Sequence, residues 1–137
     1  MKKFTLLACL MTVSAGLAVA QSVISVPFFA DNANVRQGYV GIQNVGSSAI
    51  VVTASYLDSN GANATAGGTF TLTSGQSISY RPATNAGTAE VQPAGLLDAP
   101  YGNGSIAFDI PGGGLVSGRY ISLEGNGSAF SHNLVQQ

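Results

Sequence analysis

Hydrophobic and polar positions alternate along most of this chain, most clearly between residues 38 and 61. Ile50, Val52, Ala54 and Tyr56 occupy every second position, and the residues between them form a second, mainly polar face. This period of two is typical of a strand with one buried face, and the β-branched residues favour it. We predict strands over 39–43 and from Ile50 onward. The polar stretch 44–48 would be a turn that joins them in a hairpin.

The same alternation predicts strands over 69–73, 77–81, 105–110, 115–124 and 128–135, with a shorter one over 88–92. The first two would form a second hairpin, and 61–68 would be a loop. Gly118 interrupts its strand, which indicates a bulge or a close backbone approach. Beyond residue 20 we find no amphipathic helical stripe. Seven to nine short strands predict an all-β fold, a single antiparallel two-sheet β-sandwich of Ig-like or jelly-roll-like type.

The first 20 residues have a different composition. A basic start, an apolar run over 4–17 and the small residues Ala18-Val19-Ala20 are the three parts of a secretory signal peptide. We predict a helical signal peptide over 1–20 and one β-sandwich domain over 21–137. The protein would then be secreted or on the cell surface, with the periplasm as a further location.

Removal of such a signal peptide changes the charge and the cysteine content. Both lysines and the single cysteine lie within it, which leaves three arginines against six carboxylates, a net charge of −3. This excludes a basic surface for nucleic acid, and it excludes disulfides. We expect no nucleic-acid partner and no membrane insertion after cleavage. A β-rich surface with so few charges is poorly protected against pairing between strand edges.

Residues 21–30 form an apolar segment that Pro27 interrupts. Proline has no N–H to donate, so the segment is either an edge or bulged strand of its own sandwich, or an arm that exchanges with a neighbouring molecule. We predict that an exchange arm would assemble through five apolar residues: Val23, Ile24, Val26, Phe28 and Phe29.

Few residues of this chain are of the types that catalyse reactions or bind metals. His132 is the single histidine, and no G-x-S-x-G motif is present, so we expect no catalytic residues and no enzyme. With one histidine and no cysteine beyond residue 20, we expect no cofactor and no transition-metal site. The segment 58–63 resembles the start of a calcium loop but lacks the closing glutamate, which favours a turn over a weak calcium site at Asp58. Three sequons, at Asn63, Asn103 and Asn126, are more simply explained as turns.

Five tyrosines suggest one further possibility, a sugar-binding face. Tyr56 and Tyr80 are in register with core positions, which leaves Tyr39, Tyr101 and Tyr120 as candidate ligand residues. Tryptophan, a large amphipathic ring suited to such a face, is absent.

The stretches GYVGIQNVGSSAIVVTASYLDSNG, FTLTSGQSISYRP and GSIAFDIPGGGLVSGRYISLE resemble a group of exported bacterial β-sandwich domains. Their layout is similar to that of the sensory rhodopsin transducer fold, a small β-sandwich that oligomerises. The resemblance covers residues 27–134 and consists mainly of turn and core positions. It implies a non-catalytic extracytoplasmic domain with a binding or a structural role.

Two functional hypotheses follow. The first is a secreted structural protein that self-associates into a fibre, surface layer or matrix, with strand exchange through the N-terminal segment as one route. The alternative is a monomeric extracellular module that binds carbohydrate or protein. The pattern leaves open the geometry of an oligomer and whether the N-terminal strand pairs within its own chain or with another.

Overall fold

The structure is a computed structural model that describes residues 21–32, 35–83 and 91–137. The predicted signal peptide and the beginning of the strand predicted over 88–92 lie outside these residues. The described part contains eight strands: β1 (Ser22–Ala30), β2 (Arg36–Asn44), β3 (Ile50–Asp58), β4 (Ala64–Leu72), β5 (Ser77–Tyr80), β6 (Asn103–Ile110), β7 (Val116–Glu124) and β8 (Ala129–Leu134).

The strands form two four-stranded antiparallel sheets, which confirms the predicted β-sandwich. One, the β1 sheet, has the order β1-β6-β3-β4, and the other, the β8 sheet, has the order β5-β2-β7-β8. Every pair of neighbouring strands within each sheet is antiparallel. Within the described ranges, no helix is long and apolar enough to cross a membrane.

The core lies between the two sheets and is made by the residues that the alternation placed on inward faces. In β3, for example, Val52, Ala54 and Tyr56 are buried, while Val51, which precedes them, is half exposed. The largest fully buried side chains are Tyr56, Tyr80, Phe29, Phe108, Ile24, Ile42, Leu72, Ile106 and Ile110. The predictions for Tyr56 and Tyr80 are therefore confirmed.

The hairpin predicted between 39–43 and Ile50 is wrong, because β2 and β3 belong to different sheets. The side chain of Asn44, which is fully buried, organises the connection between them. Its Nδ2 donates to the carbonyls of Ser48 and Leu72 at 2.8 and 3.0 Å, and its Oδ1 accepts from the N–H of Gly46 at 2.9 Å. These bonds hold residues 45–49 as a crossing from one sheet to the other.

The second predicted hairpin is also wrong. β4 lies in the β1 sheet and β5 in the β8 sheet, and Gly75, at φ 74°, lies in the turn that joins them. The loop predicted over 61–68 is too long, because β4 already begins at Ala64 and pairs with β3, with a register shift opposite Ala54 and Ser55. Two consecutive pairs in the described part do form hairpins, β3 with β4 and β7 with β8.

Gly118 marks a close approach rather than a bulge. The register of β7 is continuous on both sides of it. A β-carbon at this position would lie 2.7 Å from Cδ1 of Ile24 and 3.0 Å from Cδ1 of Leu134. The missing side chain therefore lets β1 and the end of β8 pack over β7.

Candidate functional site

The outer edge of β8 is open in the described part of the structure. The N–H of Glu124 donates to the carbonyl of Ser128, and this pair continues the β7–β8 register. Because hydrogen-bonded pairs alternate along an antiparallel ladder, Phe130, His132 and Leu134 direct their backbone groups at β7. The backbone groups of Ala129, Ser131 and Asn133 consequently point away from the sheet, and no described residue pairs with them there.

The side chains of β8 are exposed except for the last, and none of them is Lys, Arg, Asp or Glu. Leu134 is its one buried residue, while Phe130 is 64% exposed. Phe130 and His132 face the same side as Leu134, and the ring of His132 packs against that of Tyr120 with centroids 5.3 Å apart. An edge of this kind lacks the lysine, proline or bulge that usually prevents pairing with another chain.

The edge of β1 is protected in two ways. Val23 exchanges backbone hydrogen bonds with Gln137 at 3.0 and 2.8 Å, so the end of the chain covers one part of the edge. Pro27 has no N–H, and the register shifts between Val26 and Phe29. Segment 21–30 is thus a bulged edge strand of its own sandwich in this structure.

The other two edges are each contacted by a segment of the same chain. On β4, the carbonyl of Gly67 accepts a hydrogen bond from the N–H of Leu97 at 2.8 Å. A β-carbon on Gly68 would collide with the carbonyl oxygen of Gly95, and one on Gly95 would lie 2.5 Å from that of Thr69, so this loop packs closely against β4. On the four-residue strand β5, Ser79 donates to the carbonyl of Val91 at 3.2 Å. Of the four edges, β8 is the one without such cover from described residues.

The structure separates the five predicted assembly residues. Ile24, Val26 and Phe29 are fully buried in the core of their own chain. Val23 is partly buried beside Gln137, and Phe28 is half exposed at the bulge. Three of the five therefore lie in the core of their own chain in this structure, and the use of this strand as an exchange arm stays a prediction.

The three candidate tyrosines do not share a face. Tyr120 points into the core, where its hydroxyl accepts from the N–H of Ala30 at 3.0 Å. Tyr101 precedes β6, and its hydroxyl donates to the carbonyl of Asn63 at 3.2 Å. Tyr39 alone lies on the outer face of the β8 sheet, with the Arg81 guanidinium 5.9 Å from its ring centroid. The three tyrosines therefore lie in different places in this structure, and a role of any of them in binding a ligand stays a prediction.

Tyr39 borders a shallow depression of about 390 Å³ on the outer face of the β8 sheet. The registers place Ser79, Gly41, Arg119 and Asn133 side by side across the four strands. Gly41 forms the floor of the depression because it has no side chain. Tyr39 and Gln43 border it along β2.

Asp58 uses its carboxylate within its own turn. Oδ1 accepts from the N–H groups of Asn60 and Ala62 at 3.0 and 2.9 Å, and Oδ2 accepts from the side chain of Asn63. These hydrogen bonds lower the pKa of Asp58, and the bond from the N–H of Ala62 contributes most. The geometry is that of an Asx turn, as the sequence favoured. Within the described ranges, no three potential metal ligands cluster.

Two buried polar contacts link the two sheets. Asp31 and Arg81 form an ion pair in which Nε donates to Oδ2 at 3.2 Å and Nη2 donates to Oδ1. The hydroxyl of Tyr56 donates to the carbonyl of Leu97 at 2.7 Å and lies 3.2 Å from the hydroxyl of Tyr80. Burial raises the pKa of Tyr56 to about 12 and raises the pKa of Tyr80 well above its ordinary value.

Sequence reasoning missed the two features that the structure brings out, the β8 edge and the depression at Gly41. Each had a signal. The final predicted strand contains no Lys, Arg, Asp or Glu, and Gly41 lies in the middle of a predicted strand, where glycine is unfavourable. Neither signal states which strand lies at an edge or what surrounds the glycine.

Fold and site together define a small antiparallel β-sandwich in which no described residue covers the edge of β8, and in which a depression lies on the outer face of the same sheet. Comparisons with known protein families, with curated proteins and with solved structures found no match. The resemblance to the sensory rhodopsin transducer fold stays a prediction.

Proposed function

We propose that this protein is an exported, non-catalytic structural protein that self-associates by pairing the β8 edges of two copies. The observation that carries this proposal is the contrast between edges. β1, β4 and β5 are each contacted by a segment of their own chain, whereas β8 presents the backbone groups of Ala129, Ser131 and Asn133 without cover from described residues. Export is the expectation from the predicted signal peptide.

The outward groups of β8 suit a two-fold arrangement. In an antiparallel pair of β8 strands, Ser131 would face Ser131 of the second copy, and Ala129 would face Asn133. Each such pair exchanges two backbone bonds, so about six hydrogen bonds would join the two β8 sheets into one continuous sheet. Phe130 is the most exposed aromatic side chain of the described residues. In such a pair, each copy would cover part of the Phe130 side chain of the other.

Growth into a fibre, surface layer or matrix needs a second contact, for which exchange of β1 is the route suggested by the sequence. Exchange would withdraw Ile24, Val26 and Phe29 from their own core, at about 1.5–3 kcal/mol for each side chain. An equivalent core must replace those contacts, so β1 exchange would take place while the chains fold. β8 pairing requires no unfolding.

The test is sedimentation velocity of the purified protein over a concentration series, with two substitutions at Ser131. Ser131→Pro removes an outward N–H and leaves the β7–β8 bonds in place, whereas Ser131→Ala keeps that N–H. We expect the natural protein and Ser131→Ala to associate and Ser131→Pro to remain monomeric, with all three equally folded by circular dichroism. The proposal would be refuted if the natural protein stayed monomeric at a concentration of about 1 mM. Equal association of Ser131→Pro would also refute it.

A further inference from the structure

Gly41 has no packing reason to be glycine. Its φ is not in the left-handed region, and a β-carbon there would meet only the carbonyl oxygens of Ile78 and Arg119, at 3.5 and 4.0 Å. Gly38, on the same strand, is different, because a β-carbon there would lie 2.6 Å from the carbonyl oxygen of Ala30. A strand glycine that the fold does not require often marks a place where a ligand approaches the backbone.

The side chains around Gly41 include several polar groups and one positive charge, and isoleucines, among them Ile121, also line the depression. Arg119 is its neighbour on β7, with Gln43 and Ser79 on other sides and Asn133 beyond Arg119. Arg36 and Arg81 form ion pairs with Glu124 and Asp31. Arg119 forms none with any described carboxylate, and no carboxylate of the described residues lines the depression.

We propose that this depression binds an acidic polysaccharide, with Arg119 holding a uronate carboxylate above Gly41. The guanidinium can bind a carboxylate through two parallel hydrogen bonds. The amides of Gln43 and Asn133 and the hydroxyl of Ser79 supply both donors and acceptors for sugar hydroxyl groups. The ring of Tyr39 forms one wall.

The position on a sheet face favours a sugar over a peptide. A peptide that adds to a sheet binds through free backbone groups at a strand edge. At the depression, β2 and β7 are interior strands, so their backbone groups are already paired with their neighbours. Recognition must therefore come from side chains. A volume of about 390 Å³ lies within the usual range of small-ligand sites.

The test is affinity electrophoresis of the purified protein in gels that contain polygalacturonate, with dextran as the neutral polysaccharide and polyglutamate as the acidic polymer without sugar. Two variants probe the site. Arg119→Gln removes the cation, and Gly41→Val fills the floor. Two matched controls lie elsewhere: Arg36→Gln removes an arginine outside the depression, and Thr71→Val places the same valine on the exposed face of β4.

We expect retardation by polygalacturonate alone, weakened about tenfold or more in Arg119→Gln and Gly41→Val and unchanged in both controls. Gly41→Val should melt at the temperature of the natural protein or above it, which separates loss of binding from loss of fold. Three results would overturn the proposal: no retardation, equal retardation by polyglutamate, or site variants that bind as well as the controls. The Ser131 variants that test self-association leave this site intact, so either proposal can fail alone.

Discussion

The buried ion pair between Asp31 and Arg81 allows a quantitative test of how the two sheets are held together. Asp31 directly follows β1 and Arg81 directly follows β5, so the pair joins one strand of each sheet. The two residues are 2% and 8% exposed. We predict that Asp31→Asn, which keeps the shape and removes the charge, strongly destabilises the fold.

The magnitude follows from the burial of both partners. Removing one partner of a buried pair leaves the other charge in a poorly solvated place and costs about 3–5 kcal/mol. A domain of this size has a free energy of unfolding of about 5–15 kcal/mol, so the loss is a large fraction of the total. Replacing both residues with apolar ones, as Asp31→Leu with Arg81→Met, should cost much less, because no buried charge is left behind.

The assay is urea unfolding, followed by circular dichroism, of the natural protein, Asp31→Asn, the single variants Asp31→Leu and Arg81→Met, and the double variant. Glu124→Gln is the matched control, since Glu124 pairs at 2.6 Å with Arg36, whose side chain is 42% exposed. Pairs near the surface are worth about 0–1 kcal/mol. A loss in Asp31→Asn no larger than in Glu124→Gln would refute the reasoning, as would a double variant less stable than either single one.

Three further predictions concern single residues. Gly38→Ala should lower the free energy of unfolding by about 1–3 kcal/mol because its methyl group meets the Ala30 carbonyl, and urea unfolding beside Gly41→Ala, which should be neutral, checks this. Because the pKa of Tyr56 is raised from 10.0 to about 12 in the native state, its contribution to stability is fully present below pH 10 and falls between pH 10 and about 12, by about 1.4 kcal/mol per pH unit. Tyr56→Phe should make that fall shallower in alkaline melts. Since the pKa of Asp58 is lowered, its contribution is present above about pH 3.8 and is lost in more acid solution. Asp58→Ala should lose less stability between pH 5 and pH 2 than the natural protein does, and equal losses in acid melts would contradict the Asx-turn account.

The sequence predicted the strands far better than their partners. Inward positions such as Val52, Phe70 and Ile106 alternate as expected and are buried. Both predicted hairpins failed because a polar turn with glycine suits a crossing between sheets as well as a tight turn within one. Asn44 decides the first case through its bond to Leu72, a residue far away in the sequence.

The candidate sites show the same limit. Pro27 and the irregular pattern around it indicated an edge or bulged strand, and β1 is both. Nothing in the pattern of β8 shows that it ends a sheet without cover from the described residues. Likewise, Tyr120 and Tyr39 are equivalent as isolated residues, and one is in the core while the other borders the depression.

The alternation of residues along the chain therefore predicts local features: which residues form strands and which face of each strand is apolar. A period of two records only that one face is buried, and either sheet can bury it. The tertiary structure decided the pairing of strands, the covering of three edges and the placing of Ser79, Gly41, Arg119 and Asn133 in one row. These depend on contacts between residues distant along the chain, and such contacts leave no periodic pattern in the sequence.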